Sequence, residues 1–189
     1  ILAGYKDKLT LHFSNKNLGF GKANNLGLRY ALENGYNYVF LVNQDTVSTK
    51  GIINKLKAAH QTHPQYGILS PLHFYSKEVL DCRFESYLKK SQTRTFTSLL
   101  SEDEVIPVDF VNAAFWFIPI DVIKELGGFD PIFRHYGEDD DYANRIKNSG
   151  RCIGVVKNAI TYHLRDQNSK SSVKLSYLIQ NYKNSYLII

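Results

Sequence analysis

What most constrains this chain is a change of hydrophobic period within its first 72 residues. Between Lys22 and Asn34 the apolar residues recur at helical spacing, with Leu28, Ala31 and Leu32 at i, i+3 and i+4 and Gly35 as a stop. "YVFLVN" (38–43) follows as a near-continuous apolar run, the pattern of a strand covered on both faces. Ile52, Leu56 and Ala59 return to a helical stripe that Pro64 ends, and "YGILSP" (66–71) reads as another buried strand. With "LTLHF" (9–13) as an opening strand, this alternation predicts a parallel α/β sheet joined by right-handed crossovers.

The second half is less regular. Residues 73–104 are polar and aromatic and read as strands and a loop. "VIPVDFVNAAFWFIP" (105–119) is strand-rich, Pro119 suits the first turn of a short helix, and Gly127-Gly128 ends it. A helix over roughly 140–149 is capped by Gly150, "CIGVV" (152–156) and "AITYH" (159–163) read as two strands, and residues 171–189 read as a terminal helix. No linker or internal repeat divides the 189 residues, so one mixed α/β domain is expected.

Charge narrows the partners only a little. A net charge of +5 is compatible with phosphate-bearing ligands, but no arginine-rich helix or basic-aromatic repeat supports a nucleic-acid partner. Cys82 and Cys152 form no metal-type pair and suit a reducing compartment. No apolar run reaches the roughly 18 residues that span a bilayer. The chain opens on Ile1 and contains no Met, which reads as an excerpt of a longer protein.

Several residue groups carry chemistry. Asn43, Gln44 and Asp45 stand at the carboxyl end of a strand, where open α/β sheets gather their ligands. A carboxylate there can hold a divalent cation against a diphosphate; Asp45 or Thr46 can equally start the next helix as a cap. In "NKNLGFGKANNLGLRYA" (15–31), Gly19 and Gly21 permit close backbone approach at a helix start that favours phosphate. Asn17 and Asn25 offer donors and acceptors. Alternation in "NAAFWFIP" sets Trp116 opposite Phe115 and Phe117, which suits core packing. "GEDDDYANR" (137–145) puts Glu138, Asp139, Asp140 and Asp141 at a helix start, where the dipole offsets negative charge and Asp141 can pair with Arg145. Those effects explain one or two carboxylates, not four.

Taken in order, "NLGFGKANNLGLRYA", "YVFLVNQDT", "VNAAFWFIPIDVIKELGGFDPIF", "GEDDDYANRIKNSG" and "ITYH" resemble the family-two inverting nucleotide-sugar glycosyltransferases, in particular a bacterial, rhamnosyltransferase-like branch. The resemblance covers most of residues 9–185. It implies the GT-A fold: a Rossmann-like, mostly parallel central sheet flanked by helices, with a smaller mixed acceptor-side region. Residues 1–72 would form the nucleotide-sugar half, and 73–189 the acceptor half with its C-terminal helix. The opening strands of the family would be missing.

By the same resemblance, Asn17, Gly19 and Asn25 contact the donor, together with Asn43, Gln44 and Asp45 at the position of the family's Asp-x-Asp motif. Asn43 departs from that motif. Asp45 and His163 would hold Mn²⁺ or Mg²⁺, and His163 reads equally as a hydrogen-bonded structural histidine. Ala113, Ala114 and Trp116 would border the acceptor, with the indole face stacking on a sugar. Asp139 would be the general base, Glu138 an acceptor contact or a tuner of Asp139, and Asp140 solvated.

The implied reaction moves a sugar, dTDP-rhamnose being the donor expected from the branch, to a glycan or lipid-linked acceptor in surface-polysaccharide synthesis. The implied setting is the cytoplasm, with the terminal helix packed on the domain or docked peripherally on the inner membrane face. The rival expectations are a non-catalytic nucleotide- or glycan-binding module and a membrane-docking scaffold.

Overall fold

The computed structural model of the protein describes residues 9–77, 79–91, 104–133 and 136–164. In chain order the elements are α1 (Phe20–Glu33), β1 (Tyr38–Val42), β2 (Thr46–Ser48), α2 (Ile52–Thr62), β3 (Tyr66–Ser76), β4 (Val79–Leu80), α3 (Cys82–Lys90), β5 (Val105–Val108), β6 (Phe115–Pro119), α4 (Ile120–Leu126), α5 (Glu138–Asn148) and β7 (Cys152–His163).

The strands form one mixed sheet in the order β1-β6-β3-β7-β2, with β4 paired to β3 and β5 to β7. β6 runs antiparallel to both β1 and β3, and β3 runs parallel to β7. β1 and β3 therefore share a direction, as the alternating pattern predicts, and β7 joins them. Yet β3 with β7 is the one parallel pair among the described strands. The sheet is mixed and not mostly parallel as expected, because β6 enters antiparallel between β1 and β3. The insertion of β6 between β1 and β3 is non-local and leaves no trace in the hydrophobic period. The carboxyl ends of β1, β3 and β7 all lie at one edge of the sheet.

Both faces are covered, which is why the strands are apolar at nearly every position. β6 shows this most clearly: Phe115 and Phe117 pack with Ile52, Leu56 and Ala59 of α2, while Trp116 and Ile118 join the larger core beneath α1, α4 and α5. The α2 stripe is buried as its spacing predicts. α4 starts after Pro119 and stops at Gly127.

Four further expectations need correction. "LTLHF" forms no strand: it has no pairing partner in the sheet, and Phe13 is 91% exposed. The two expected strands at 152–156 and 159–163 are one strand, β7. Its register against β3 jumps from Val156 to Ile160, so Lys157, Asn158 and Ala159 bulge out, and that bulge is the break the sequence displays. Within 73–104 a helix, α3, replaces an expected strand and loop. The helix over 140–149 begins earlier, so the four carboxylates themselves make up its first turn. The expected terminal helix at 171–189 lies outside the described residues.

Candidate functional site

The carboxyl edge of the sheet brings together three separate stretches. The backbone N–H of Asn43 donates to the carbonyl of Ala114 (2.9 Å), fastening the end of β1 to the segment that leads into β6. A tight turn over 43–46 is closed by Thr46, whose N–H and hydroxyl both donate to the Asn43 carbonyl, the hydroxyl at 2.7 Å. β2 then pairs with the end of β7, Thr46 opposite His163. That register carries Asp45 to the imidazole: His163 Nε2 lies 3.3 Å from Asp45 Oδ2. The other face of the buried ring meets Asp81, whose Oδ2 is 3.8 Å from Nδ1. Gln44 is exposed.

Asp81 has a second task. It caps α3, its Oδ1 accepting from the backbone N–H groups of Arg83 (3.0 Å) and Phe84 (2.9 Å). α3 carries Phe84 and Leu88 into the core and ends in Lys89 and Lys90, favourable charges at a helix C-terminus. An Asp before a helical apolar pair, with a basic last turn, is the signal by which α3 could have been found in the sequence.

At the far end of α3, about 13 Å along the helix, a cavity of about 370 Å³ opens between Tyr87, Lys90 and Ser91 on one side and the start of α5 on the other. Asp139 and Asp140 line it together with Asp109, Phe110, Tyr136 and Gly137. Tyr136 (φ 66°) and Gly137 (φ 94°) both adopt left-handed backbone, which turns the chain sharply into α5. For Tyr136 this is a strained conformation held by its surroundings.

The four carboxylates separate by direction. Asp139 is half-buried, and its carboxyl is pushed up to about 7, first by burial and then by the neighbouring charges of Asp140 and Glu138. Asp140 is exposed at the cavity, and burial of its carboxyl raises it while Lys147 and Lys90 oppose the rise. Asp141 accepts from Arg145 Nε (2.9 Å), and Arg145 goes on to bind the carbonyls of Leu126 and Gly128, tying α5 to the end of α4. Glu138 is 6% exposed, does not line the cavity and packs toward α1.

The α1 side explains that packing. A Cβ at Gly21 would lie 3.0 Å from the Phe129 Cβ and 3.7 Å from the Glu138 Cβ, so the missing side chain lets the starts of α1 and α5 approach. Asn25 clamps the same contact. Its Nδ2 donates to the Phe129 carbonyl (2.7 Å) and its Oδ1 accepts from the Phe129 N–H (2.8 Å), which commits the amide to the fold. Asn17 is exposed and its Oδ1 accepts from the Gly19 N–H (2.9 Å), shaping the loop in front of α1. Gly19, at φ 75°, is the N-cap, and no side chain caps the helix.

Trp116 is fully buried, stacks on Phe129 and donates its indole N–H to the Val111 carbonyl (3.0 Å). It has no exposed face to offer a sugar, and Ala113 and Ala114 are buried beside it. The accessible aromatic surface lies instead at Tyr87, Phe110 and Tyr136, of which the sequence reading named none.

Asp45 and His163 fit part of a divalent-cation shell. Asp45 Oδ1 is buried with no hydrogen-bond partner among the described residues, and an oxygen beside an imidazole nitrogen suits Mn²⁺ or Mg²⁺. Among the described residues no group of three His, Cys, Asp or Glu side chains is placed to hold a metal, so the pair needs ligand oxygens to complete a shell. Among the same residues no helix is long and apolar enough to cross a membrane.

Comparison with known proteins agrees with this architecture. Residues 1–177 match the family described as glycosyltransferase like family 2, and the chain belongs to that family. No curated protein matches its sequence. Among solved structures, the crystal structure of GalNAc-T7 with UDP, GalNAc and Mn²⁺ is similar, with a TM-score of 0.60 at 12% identity over 88% of this chain. This chain spans 34% of that one. The crystal structure of A197 from STIV is similar over 84% of this chain and 73% of that one, with a TM-score of 0.53 at 16% identity. At such identities the likeness establishes the fold, which is GT-A.

Proposed function

We propose that this member of glycosyltransferase like family 2 transfers a sugar from a nucleoside-diphosphate donor to a glycan hydroxyl with inversion. The observation that carries the reading is Asp139: a half-buried carboxylate at the start of α5, lining a cavity of substrate size, with its proton affinity raised to about 7. A general base works best when its pKa lies near the operating pH. Asp139 would take the proton from the acceptor hydroxyl as that oxygen attacks the anomeric carbon from the face opposite the departing nucleotide.

The donor side is assigned to the carboxyl edge of the sheet. The uncapped start of α1 and the loop shaped by Asn17 and Gly19 offer backbone N–H groups to a diphosphate. Asn43 and Gln44 border the same edge. Asp45 and His163 would hold Mn²⁺ or Mg²⁺, which when bound neutralises charge on the leaving diphosphate. Buried Asp81 stands 3.8 Å behind the imidazole, a carboxylate on its far side that would favour a cation-binding edge toward Asp45. Of the donors, dTDP-rhamnose stands first because of the resemblance to the rhamnosyltransferase-like branch, and a surface-polysaccharide or lipid-linked glycan is the matching acceptor.

The test is a full-length protein incubated with Mn²⁺ and a panel of nucleotide sugars, with nucleotide release scored with and without glycan acceptors. Acceptor-dependent release from at least one donor is expected, and an inverted anomeric configuration in the product. No binding and no release with any donor would sink the reading. Asn43, where the family's motif has a carboxylate, favours one rival: a module that binds nucleotide without transfer. Tight nucleotide binding with no product from any acceptor would select that rival.

A further inference from the structure

The chemistry of the cavity restricts what can enter it. Its volume of about 370 Å³ falls at the low end of the range for ligand clefts, about 300–1,000 Å³. That is room for a short saccharide, not for a long stretch of polymer. Tyr87 and Phe110 form its aromatic wall, edge to face at 5.0 Å and 87°. Phe110 is held there from behind, because the adjacent Asp109 N–H donates to the buried Ser91 hydroxyl (2.8 Å) at the end of α3. Tyr136, on a left-handed backbone, adds a third ring that is 42% exposed. Rings of this kind pack against the C–H face of a pyranose, while its hydroxyls need acceptors around the edge.

The acceptors are carboxylates. Asp109, Asp139 and Asp140 line the cavity, and among the described residues Lys90 is the one basic side chain in the lining. Among the described residues, three carboxyl groups face one ammonium, a balance that is negative and stays so with Asp139 protonated. A sugar bearing its own carboxylate or phosphate would meet repulsion from these carboxylates. A neutral pyranose meets ring faces and hydrogen-bond acceptors.

Resting on the glycosyltransferase reading above, we propose that the acceptor entering this cavity is an uncharged pyranoside, packed on the Tyr87–Phe110 pair, and that α3 is the element that selects it. Tyr87 supplies the platform. Lys90 donates to a hydroxyl while facing Asp140, so it orients the sugar without making the site attractive to anions.

The experiment is ligand-observed NMR on the full chain, comparing methyl hexopyranosides with the matching methyl hexuronides, followed by kinetics with acceptors of both kinds. Neutral glycosides should bind at least about tenfold more tightly than uronides. Tyr87→Ala should raise the acceptor KM about tenfold and leave donor affinity unchanged, whereas Tyr87→Phe keeps the ring and most of the affinity. Asp140→Lys should narrow the preference for neutral sugars, a gain that a misfolded protein cannot give. Equal or better binding of uronides, or an acceptor KM indifferent to Tyr87→Ala in a protein that still binds donor, overturns the proposal. The two readings fail separately: neutral glycosides bound in the cavity without any transfer would support this inference and sink the transferase.

Discussion

The two ends of α3 handle charge in opposite ways. At its start, Asp45, His163 and Asp81 form a compact set in which an imidazole lies between two carboxylates. At its end, Asp139, Asp140 and Asp109 gather around a cavity in which, among the described residues, Lys90 is the one lining cation. The first arrangement suits holding a ligand in one place. The second leaves a carboxyl with its proton affinity raised to about 7, which suits moving a proton. One helix spans both, and one residue, Asp81, belongs to the first end while capping the helix that leads to the second.

The sharpest break of this contrast is Asp139→Asn. Acceptor-dependent transfer should fall by about 10²–10⁴-fold while donor affinity, measured by calorimetry, stays the same. Transfer at a normal rate would remove Asp139 as the base. Next is Asp45→Ala at the opposite end. It should weaken binding of Mn²⁺ together with a nucleoside diphosphate by about 10–100-fold, with little change in acceptor KM.

Asp81 tests the link between them. Asp81→Ala removes the cap of α3, worth about 0.5–2 kcal/mol, and should raise both donor and acceptor KM. Asp81→Asn keeps an oxygen for Arg83 and Phe84 but drops the negative charge beside His163, so only the donor side should suffer. Identical losses in both variants would show that the cap alone matters.

The pH behaviour of Asp139 gives the fourth check. Transfer should rise as pH passes through about 7, where the carboxyl becomes a base. Stability runs the other way. The folded value stands above the ordinary 3.8, so the stability tied to the protonated carboxyl is complete below 3.8 and is lost as pH rises through about 7. Asp139→Asn should therefore melt above the wild type at pH 8, and the two should converge in acid. The smallest effect belongs to Asp140→Asn. Removing that neighbouring charge should move the rising limb of the rate profile to lower pH without abolishing transfer.

The stretches that were legible in the sequence are those set by near neighbours. α2 buries Ile52, Leu56 and Ala59 because a 3.6-residue period puts them on one face whatever the helix meets. Pro119 and Gly127 bound α4 through backbone geometry that no distant contact alters. α3 was open to the same reasoning, through Asp81, Phe84, Leu88 and the closing lysines, but its polar composition suggested a loop. The candidate site was legible as residue types: carboxylates at a strand end and at a helix start. Trp116 was harder, since strand alternation offers two faces and says nothing of which meets solvent. Here both faces are covered, so the indole is core.

The sequence by itself determined the periods, the helix boundaries marked by Pro and Gly, and the presence of four carboxylates in one turn. It also carried the motif order that marks the family. Only the tertiary structure decided that β6 lies between β1 and β3, that Asp45 meets His163, and that Asp139 rather than Glu138 faces a cavity. The reason is physical. A side chain's direction along its own element follows from local geometry, whereas its partner depends on strand register and helix placement set by contacts a hundred residues away, such as Asn25 on Phe129. The acidic turn was written in the sequence; which of its carboxylates faces the cavity was decided by what packs around it.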